Sequence, residues 1–182
     1  MAKQQPLVSD EQWRQFLLPG DILLYDSSGF VSWWIKFKTW DDTSHAEVYL
    51  GEGKSAGSRG PSEGINTYDL RTEDLAYVLR PNVPFDLARM EAFHNSCIGQ
   101  GYDLWGLIKV FYLNKQGDTN KAYCSEHVAR MCREENGGPG LFNPKFDCDE
   151  VTPGMLKCSP RVDLWSVKDV QAVAQEARAL AA

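Results

Sequence analysis

Cys124 is the residue in this sequence that is best placed to act as a nucleophile. It lies in the segment Y-C-S-E-H-V, where a polar loop at residues 117–121 gives way to a helical pattern. A thiol in the first turn of a helix faces free backbone N–H groups and the positive end of the helix dipole, and both lower its pKa. The same N–H groups can stabilise an oxyanion on a substrate carbonyl. Alternatively, Cys124 begins a buried stripe, because Val128, Met131 and Cys132 follow it at helical spacing.

A cysteine nucleophile needs a base, normally a histidine, within hydrogen-bonding distance. The chain has three histidines. His94 falls among polar residues in the middle of a predicted helix, so we expect it at the surface or in an interface. His127 follows Cys124 by three positions, but its side chain would have to reach back over the first turn. His45 opens a predicted strand after a polar run, so it can project into a cleft while its neighbours fill the core. We therefore predict that His45 is the base.

Sequence patterns in the first half of the chain predict the elements that position His45. A short amphipathic helix at residues 10–18 ends at Pro19 and Gly20. Strands are predicted at residues 21–25, 45–50, 54–59, 64–70 and 75–80, with a turn at residues 51–53. Aromatic residues at near-helical spacing over residues 30–40 predict a core-facing helix, with an aromatic substrate platform as the alternative.

The second half of the chain has helical periodicity and carries Cys124. Helices are predicted at residues 86–98, 104–113 and 125–135, and a loop at residues 139–160 leads to a closing helix at about residues 166–180. Strands followed by helices indicate an α+β fold. The chain has 182 residues and no repeat or composition break, so we predict a single domain over residues 1–182, with the first and last helices as appendages.

The overall composition argues against several classes of function. A formal net charge of −6 is unsuited to an extended phosphate-binding surface, so no nucleic-acid partner is expected. The five cysteines include no C-x-x-C pair and the histidines lack ligand spacing, so we predict neither a metal site nor another cofactor. No apolar run reaches the length of a signal peptide at the amino end or of a membrane span elsewhere. Synthesis in the cytoplasm is therefore expected.

Four motifs resemble those of the NlpC-type cysteine peptidases. They are G-D-I-L-L-Y at residues 20–25, S-H-A-E-V-Y-L-G at residues 44–51, G-Y-D-L-W-G at residues 101–106 and Y-C-S-E at residues 123–126. In that family the cysteine helix precedes the two strands, whereas here the cysteine follows both. This order resembles the circularly permuted, papain-like amidase branch, to which V-T-P-G-M-L at residues 151–156 is also similar. The matches span residues 20 to about 160.

The resemblance implies a permuted papain-like fold, in which a small antiparallel sheet packs on the cysteine-bearing helix and flanking helices. It also implies a cysteine peptidase or amidase, in which His45 takes the thiol proton of Cys124 and later returns it to the leaving group. The backbone N–H of Cys124 would contribute to the oxyanion hole. Peptidoglycan peptides are the partner that the family implies. Because these lie outside the cytoplasm, we expect delivery by a phage particle or lysis system, or by a secretion machine.

The third residue, which orients the base, is less clearly indicated by the resemblance. Family members often carry a polar residue on the strand after the base, where this chain offers only Ser55 and Ser58. Glu47 is an alternative, because residues i and i+2 of a strand share a face, although it also fits an exposed strand position. Candidate cleft residues are Asp21, Tyr123 and Glu126.

Two other functions are compatible with the sequence. Related permuted folds act on lipid esters or transfer acyl groups, and the aromatic residues 30–40 would suit an acyl chain. Without a strong third residue, the domain would instead be an inactive binding or assembly component, such as a phage tail protein. An inactive domain would leave Cys124 with an ordinary thiol pKa and without pairing to His45.

Overall fold

The computed structural model describes residues 13, 15–28, 41–101, 122–143, 145–167, 169, 170 and 172. Within these residues, six strands form one antiparallel sheet with helices packed against it, so the predicted α+β class is confirmed. The predicted helices at residues 30–40 and 104–113 lie outside the described residues. Of the predicted helix at residues 10–18, residues 13, 15 and 16 are helical and residues 17 and 18 are not.

The strands lie close to their predicted positions, with one addition. They are β1 (Ile22–Tyr25), β2 (His45–Gly51), β3 (Lys54–Ser58), β4 (Ile65–Asp69), β5 (Leu75–Pro81) and β6 (Val162–Ser166). Their order across the sheet is β4-β3-β2-β1-β5-β6, so β2, which carries His45, is an interior strand. The sequence pattern does not predict β6, because its short alternation runs directly into the pattern of the closing helix.

Four α-helices lie wholly within the described residues. They are α1 (Gly60–Glu63), α2 (Leu87–Cys97), α3 (Cys124–Met131) and α4 (Pro153–Leu156). Helix α2 matches its prediction, and the side chain of Asp86 caps it by accepting a hydrogen bond from the backbone N–H of Arg89. Helix α3 starts one residue earlier than predicted, so that Cys124 is its first residue. None of these helices combines the length and the apolar character that crossing a membrane requires.

The carboxyl-terminal third differs most from the sequence-based expectation. The predicted loop at residues 139–160 contains a 3-10 turn at Cys148–Glu150 and helix α4. Helix α3 ends at Met131, and a separate 3-10 turn at Glu134–Asn136 follows where one continuous helix was expected. Of the predicted closing helix at about residues 166–180, residue 166 belongs to β6, residues 167, 169, 170 and 172 are helical, and the rest lies outside the described residues.

Both faces of the sheet are buried, and side chains alternate between them along each strand. One face of the sheet packs against α2 and α3. Its buried core contains Ile22, Leu24, Ala46 and Val48 of the strands and Met90, Val128 and Met131 of the helices. Buried residues on the opposite side include Leu23, Tyr25, Tyr49, Trp13, Leu17 and Val170. Glu47 belongs to this second face, where it pairs with Leu23 of β1 and Gly57 of β3. A carboxylate therefore lies in a mostly apolar layer, an arrangement that is unfavourable unless other groups compensate its charge.

Candidate active site

The amino end of helix α3 is fastened to the sheet and to the loop that follows the helix. The Glu126 side chain accepts a hydrogen bond from the backbone N–H of Tyr123 at 3.3 Å, which caps the helix. The Ser58 hydroxyl, on β3, donates to the carbonyl oxygen of Ala122 at 2.8 Å. The Ser125 hydroxyl donates to the carbonyl oxygen of Val151 at 2.7 Å. These bonds hold the first turn of the helix, and with it the thiol that the first turn carries.

Cys124 and His45 meet where strand β2 begins. Cys124 and His45 are close enough for each group to shift the pKa of the other. The sulfur of Cys124 is 4.0 Å from the carbonyl oxygen of Ser44, the residue immediately before β2. The structure therefore brings together the nucleophile and the base that the sequence predicts.

The local electrostatics favour the charged forms of both groups. Burial raises the pKa of Cys124, but the charge and hydrogen bond of His45 and the backbone amides of Ala46 and Ser125 outweigh it, so that the thiol pKa is lowered. Burial likewise lowers the pKa of His45, but Cys124 and Glu47 outweigh it and raise that pKa to about 9. Both shifts favour the thiolate–imidazolium form of the pair over the neutral form, and the thiolate is the reactive form of a cysteine nucleophile.

Glu47 is the predicted third residue that contacts the base. Its Oε1 lies 2.8 Å from Nε2 of His45. A carboxylate only accepts hydrogen bonds, so Nε2 of His45 carries a proton, and Nδ1 is the nitrogen left to face the thiol. Glu47 is fully buried, so the alternative of an exposed strand residue is wrong.

Glu47 is itself held by residues of strand β3 and its end. Arg59 donates from Nε to Oε1 at 2.6 Å and from Nη2 to Oε2 at 2.9 Å, and the Ser55 hydroxyl donates to Oε2 at 2.6 Å. Burial raises the pKa of Glu47, but the hydrogen bonds from Arg59 and His45 outweigh it and hold that pKa well below its usual range. Gly57 provides the space, because a Cβ there would lie 2.8 Å from Cγ of Glu47.

Two further predicted residues, Ser58 of β3 and Asp21 just before β1, have other partners. Ser58 bonds to the backbone ahead of Cys124, as described above, so it supports the helix start. Asp21 receives two hydrogen bonds from Arg80, at 2.9 and 2.7 Å, and one from the backbone N–H of Leu18 at 2.8 Å. These bonds join the turn before β1 to strand β5.

Tyr123 and Glu126 flank the nucleophile in sequence, and both are buried. The Tyr123 hydroxyl donates to the carbonyl oxygen of Asp149. The Glu126 carboxylate contacts the Arg130 guanidinium one turn along the helix. Their hydrogen bonds connect the start of α3 to the rest of the helix and to the turn at Cys148–Glu150.

His94 was expected at the surface or in an interface, and the surface alternative is wrong. His94 is fully buried, with Nδ1 at 3.0 Å from Nε2 of His127 and Nε2 at 3.0 Å from the Thr67 hydroxyl. Burial lowers the pKa of His94 to about 4, and burial and the neighbouring charges lower that of His127 to about 3. Within the described residues, Nδ1 of His127 has no hydrogen-bond partner. His127 therefore contacts His94, whereas His45 is the histidine that lowers the pKa of Cys124.

Arg59 is the site residue that the sequence analysis does not identify. The signal is present in the alternation of β3, since Arg59 lies two residues after Gly57, which pairs directly with Glu47. Residues at that spacing share a face of a strand. Recognising the contact requires the pairing register of β2 and β3, which local patterns leave open.

Of the two residues of the pair, His45 is the more exposed to solvent. Cys124 is 2% exposed, whereas the His45 side chain is 13% exposed. Two cavities, of about 280 and 480 Å³, lie along the carboxyl-terminal half of α3 and the loop beyond it, and Cys124 lines neither. Among the described residues, no group of three or more His, Cys, Asp or Glu side chains is arranged to hold a metal ion.

A comparison with models of known protein families finds no match to this chain, and a comparison with curated protein sequences also finds none. The site itself is therefore what indicates a function. Its elements are a thiol at the start of a helix, an imidazole beside that thiol, and a buried carboxylate that orients the imidazole.

Proposed function

We propose that this protein is a cysteine-dependent amide hydrolase, with Cys124 as nucleophile, His45 as general base and acid, and Glu47 as the orienting residue. The observation that carries the proposal is the arrangement of the site: Cys124 is the first residue of α3, and the neighbouring His45 is held by the buried Glu47 carboxylate at 2.8 Å. The order of the elements, with the histidine strand before the cysteine helix, is consistent with a permuted papain-like fold.

The first half of the reaction forms an acyl-enzyme. The Cys124 thiolate attacks the carbonyl carbon of the scissile amide, a C–S bond forms, and the carbonyl electron pair moves onto oxygen. The backbone N–H of Cys124, at the start of α3, stabilises this oxyanion. Protonated Nδ1 of His45 then gives its proton to the leaving nitrogen, the C–N bond breaks, and a thioester remains on Cys124.

The second half restores the enzyme with one water molecule. Neutral His45 takes a proton from water at Nδ1 while the water oxygen attacks the thioester carbonyl. The C–S bond then breaks, the acid product leaves, and Cys124 returns to the thiolate beside a protonated His45. Glu47 accepts a hydrogen bond from Nε2–H of His45 throughout the reaction, so the imidazole keeps Nδ1 towards the reacting atoms.

Peptidoglycan peptides are the proposed substrate class, on the strength of the motif resemblance at residues 20–25, 44–51, 101–106 and 123–126. Delivery by a phage particle or a secretion machine belongs to the same proposal. The test is incubation of the full chain with purified peptidoglycan, with release of new amino groups as the readout. Release should disappear in Cys124→Ala and persist in Cys158→Ala, which removes an exposed cysteine. Release that survives Cys124→Ala would disprove the nucleophile.

The alternatives make different demands on the site. An inactive binding domain would have an ordinary thiol pKa at Cys124 and no pairing with His45, so the charged pair argues against it. A lipid-ester hydrolase or acyltransferase would share the acyl-enzyme step. Turnover of a lipid ester and of a wall peptide, measured side by side, separates those activities from amide hydrolysis.

A further inference from the structure

The charge of Glu47 needs a partner other than His45. Glu47 lies in a buried layer beside Leu23 of β1, where an isolated carboxylate would take up a proton. His45 donates to it, but the positive charge of the imidazolium is already shared with the Cys124 thiolate. One imidazolium cannot balance two anions.

Arg59 supplies the missing positive charge in a fixed orientation. Its two hydrogen bonds to Glu47 form a planar fork that engages both carboxylate oxygens. Nη2 also donates to the carbonyl oxygen of Asp69 at 3.1 Å, and the guanidinium lies 4.2 Å from the centre of the Tyr68 ring. The fork is therefore held from the side of β4 as well as by Glu47.

Four charges consequently alternate in sign across the site, in the order Cys124, His45, Glu47 and Arg59. Their sum is zero when all four groups are ionised. We propose that Arg59 is a positioning residue of the hydrolytic site, which keeps the Glu47 carboxylate ionised and aimed at Nε2 of His45. This inference rests on the proposed function, because it assigns Arg59 a role in the same reaction.

Removing Arg59 has two consequences, and both disfavour the thiolate. Burial, no longer opposed by the guanidinium, would raise the pKa of Glu47, and a protonated Glu47 stabilises the imidazolium less. The thiolate would also lose a positive charge in its surroundings. Both effects raise the pH at which the Cys124 thiolate forms.

The experiment measures the thiolate directly, without a substrate. The ultraviolet absorbance of the thiolate is recorded against pH for the full chain of the wild type and of each variant. From each signal, that of the same protein with Cys124→Ser added is subtracted. Arg59→Gln should move the midpoint of Cys124 ionisation upwards by about one pH unit or more. Arg80→Gln is the matched control, because Arg80 makes the same kind of fork to Asp21 and should leave the midpoint unchanged.

Arg59→Lys separates the charge of the fork from its shape. Lysine keeps the charge but cannot form the planar fork, so the midpoint should stay within about half a pH unit of the wild type. The kcat for peptidoglycan should nevertheless fall about fivefold or more at unchanged KM, because Glu47 is held less firmly. If Arg59→Gln does not fold, as judged by circular dichroism, the lysine variant decides, and an unchanged kcat overturns the inference.

The outcomes distinguish this inference from the proposed function. An ordinary thiol midpoint of about 8.5 in the wild type would overturn both. A lowered wild-type midpoint that Arg59→Gln leaves in place would overturn the role of Arg59 alone. An equal shift in Arg80→Gln would also overturn it, since the effect would then come from any arginine paired with a buried carboxylate.

Discussion

Two buried carboxylates of this protein are held by the same device, and only one of them contacts the candidate active site. Glu47 is 0% exposed and Asp21 is 1% exposed. Each accepts a forked pair of hydrogen bonds from an arginine, Arg59 or Arg80. Each guanidinium also stacks on an aromatic ring, with centroid distances of 4.2 and 4.7 Å.

The two carboxylates differ in the hydrogen-bond partners that they have besides the arginine. Asp21 accepts from the backbone N–H of Leu18, and Arg80 reaches the carbonyl oxygen of Phe16 at 2.6 Å, so that fork fastens the segment before β1. Glu47 accepts instead from His45, which faces the thiol. A buried arginine–carboxylate fork is therefore not a functional signal in itself, and the third partner indicates its role.

The largest expected contrast is in the reaction rate. Glu47→Gln removes the charge that stabilises the imidazolium and lowers kcat by about a hundredfold or more. Asp21→Asn should leave kcat unchanged when rates are normalised to folded protein. Amino-group release from peptidoglycan measures both variants. A Glu47→Gln enzyme that retains most of its activity would remove the distinction between the two carboxylates.

The second contrast is in stability. Asp21→Asn leaves Arg80 without its charged partner and should lower the free energy of unfolding by about 3 kcal/mol. Urea unfolding followed by circular dichroism measures the loss. The ionisation midpoint of Cys124 should stay at its wild-type value in the same variant. A loss below about 1 kcal/mol would mean that the fork at Asp21 does not hold the structure as described.

The third prediction is a pH dependence that only the Glu47 cluster should control. The pKa of His45 is raised to about 9, so the imidazolium that protonates the leaving group is present below that pH and is lost above it. The kcat/KM should therefore fall about tenfold per pH unit above pH 9. Asp21→Asn should show the same alkaline limb. A fall in kcat/KM that begins near pH 6.5, the ordinary pKa of histidine, would contradict the presence of a charged Cys124–His45 pair.

The smallest contrast is between two serines of strand β3. Ser55→Ala removes the 2.6 Å hydrogen bond to Glu47, which should cost about 1 kcal/mol and lower kcat a few-fold. Ser58→Ala removes the bond to the backbone of Ala122 instead. It should leave the Cys124 ionisation midpoint unchanged, whereas Ser55→Ala raises it by a few tenths of a pH unit. Equal midpoints in the two variants would count against Ser55 as a support of Glu47.

The pairing of Cys124 with His45 was predictable because each residue begins an element whose type can be read from local periodicity. Choosing among Glu47, Ser55 and Ser58 was harder. All three candidates fit a strand near the base, and only the register that pairs Glu47 with Gly57 separates them. Local patterns determine which residues of one strand lie on the same face of the sheet. They do not determine which residues of the next strand lie opposite.

Other features of the fold depend on contacts between distant segments. Strand β6 pairs with β5 although about eighty residues separate them, so no local turn sequence predicts the pairing. His94 has polar neighbours in sequence, yet it is buried because it faces Thr67 of β4 and His127 of α3. Such residues take their environment from the packing of whole elements.

The buried histidine pair gives the protein a built-in sensitivity to mild acid. The pKa values of His94 and His127 in the folded chain, about 4 and about 3, lie below the value of about 6.5 for an unfolded histidine. Between these values the unfolded chain binds protons at the two histidines that the folded chain does not, so their contribution to stability is fully present above pH 6.5 and declines as the pH falls. The Glu47 carboxylate keeps its charge through this range. In an acidified compartment, weakening of the contact between α2 and α3 would therefore limit the lifetime of the protein before the charges around Cys124 are lost.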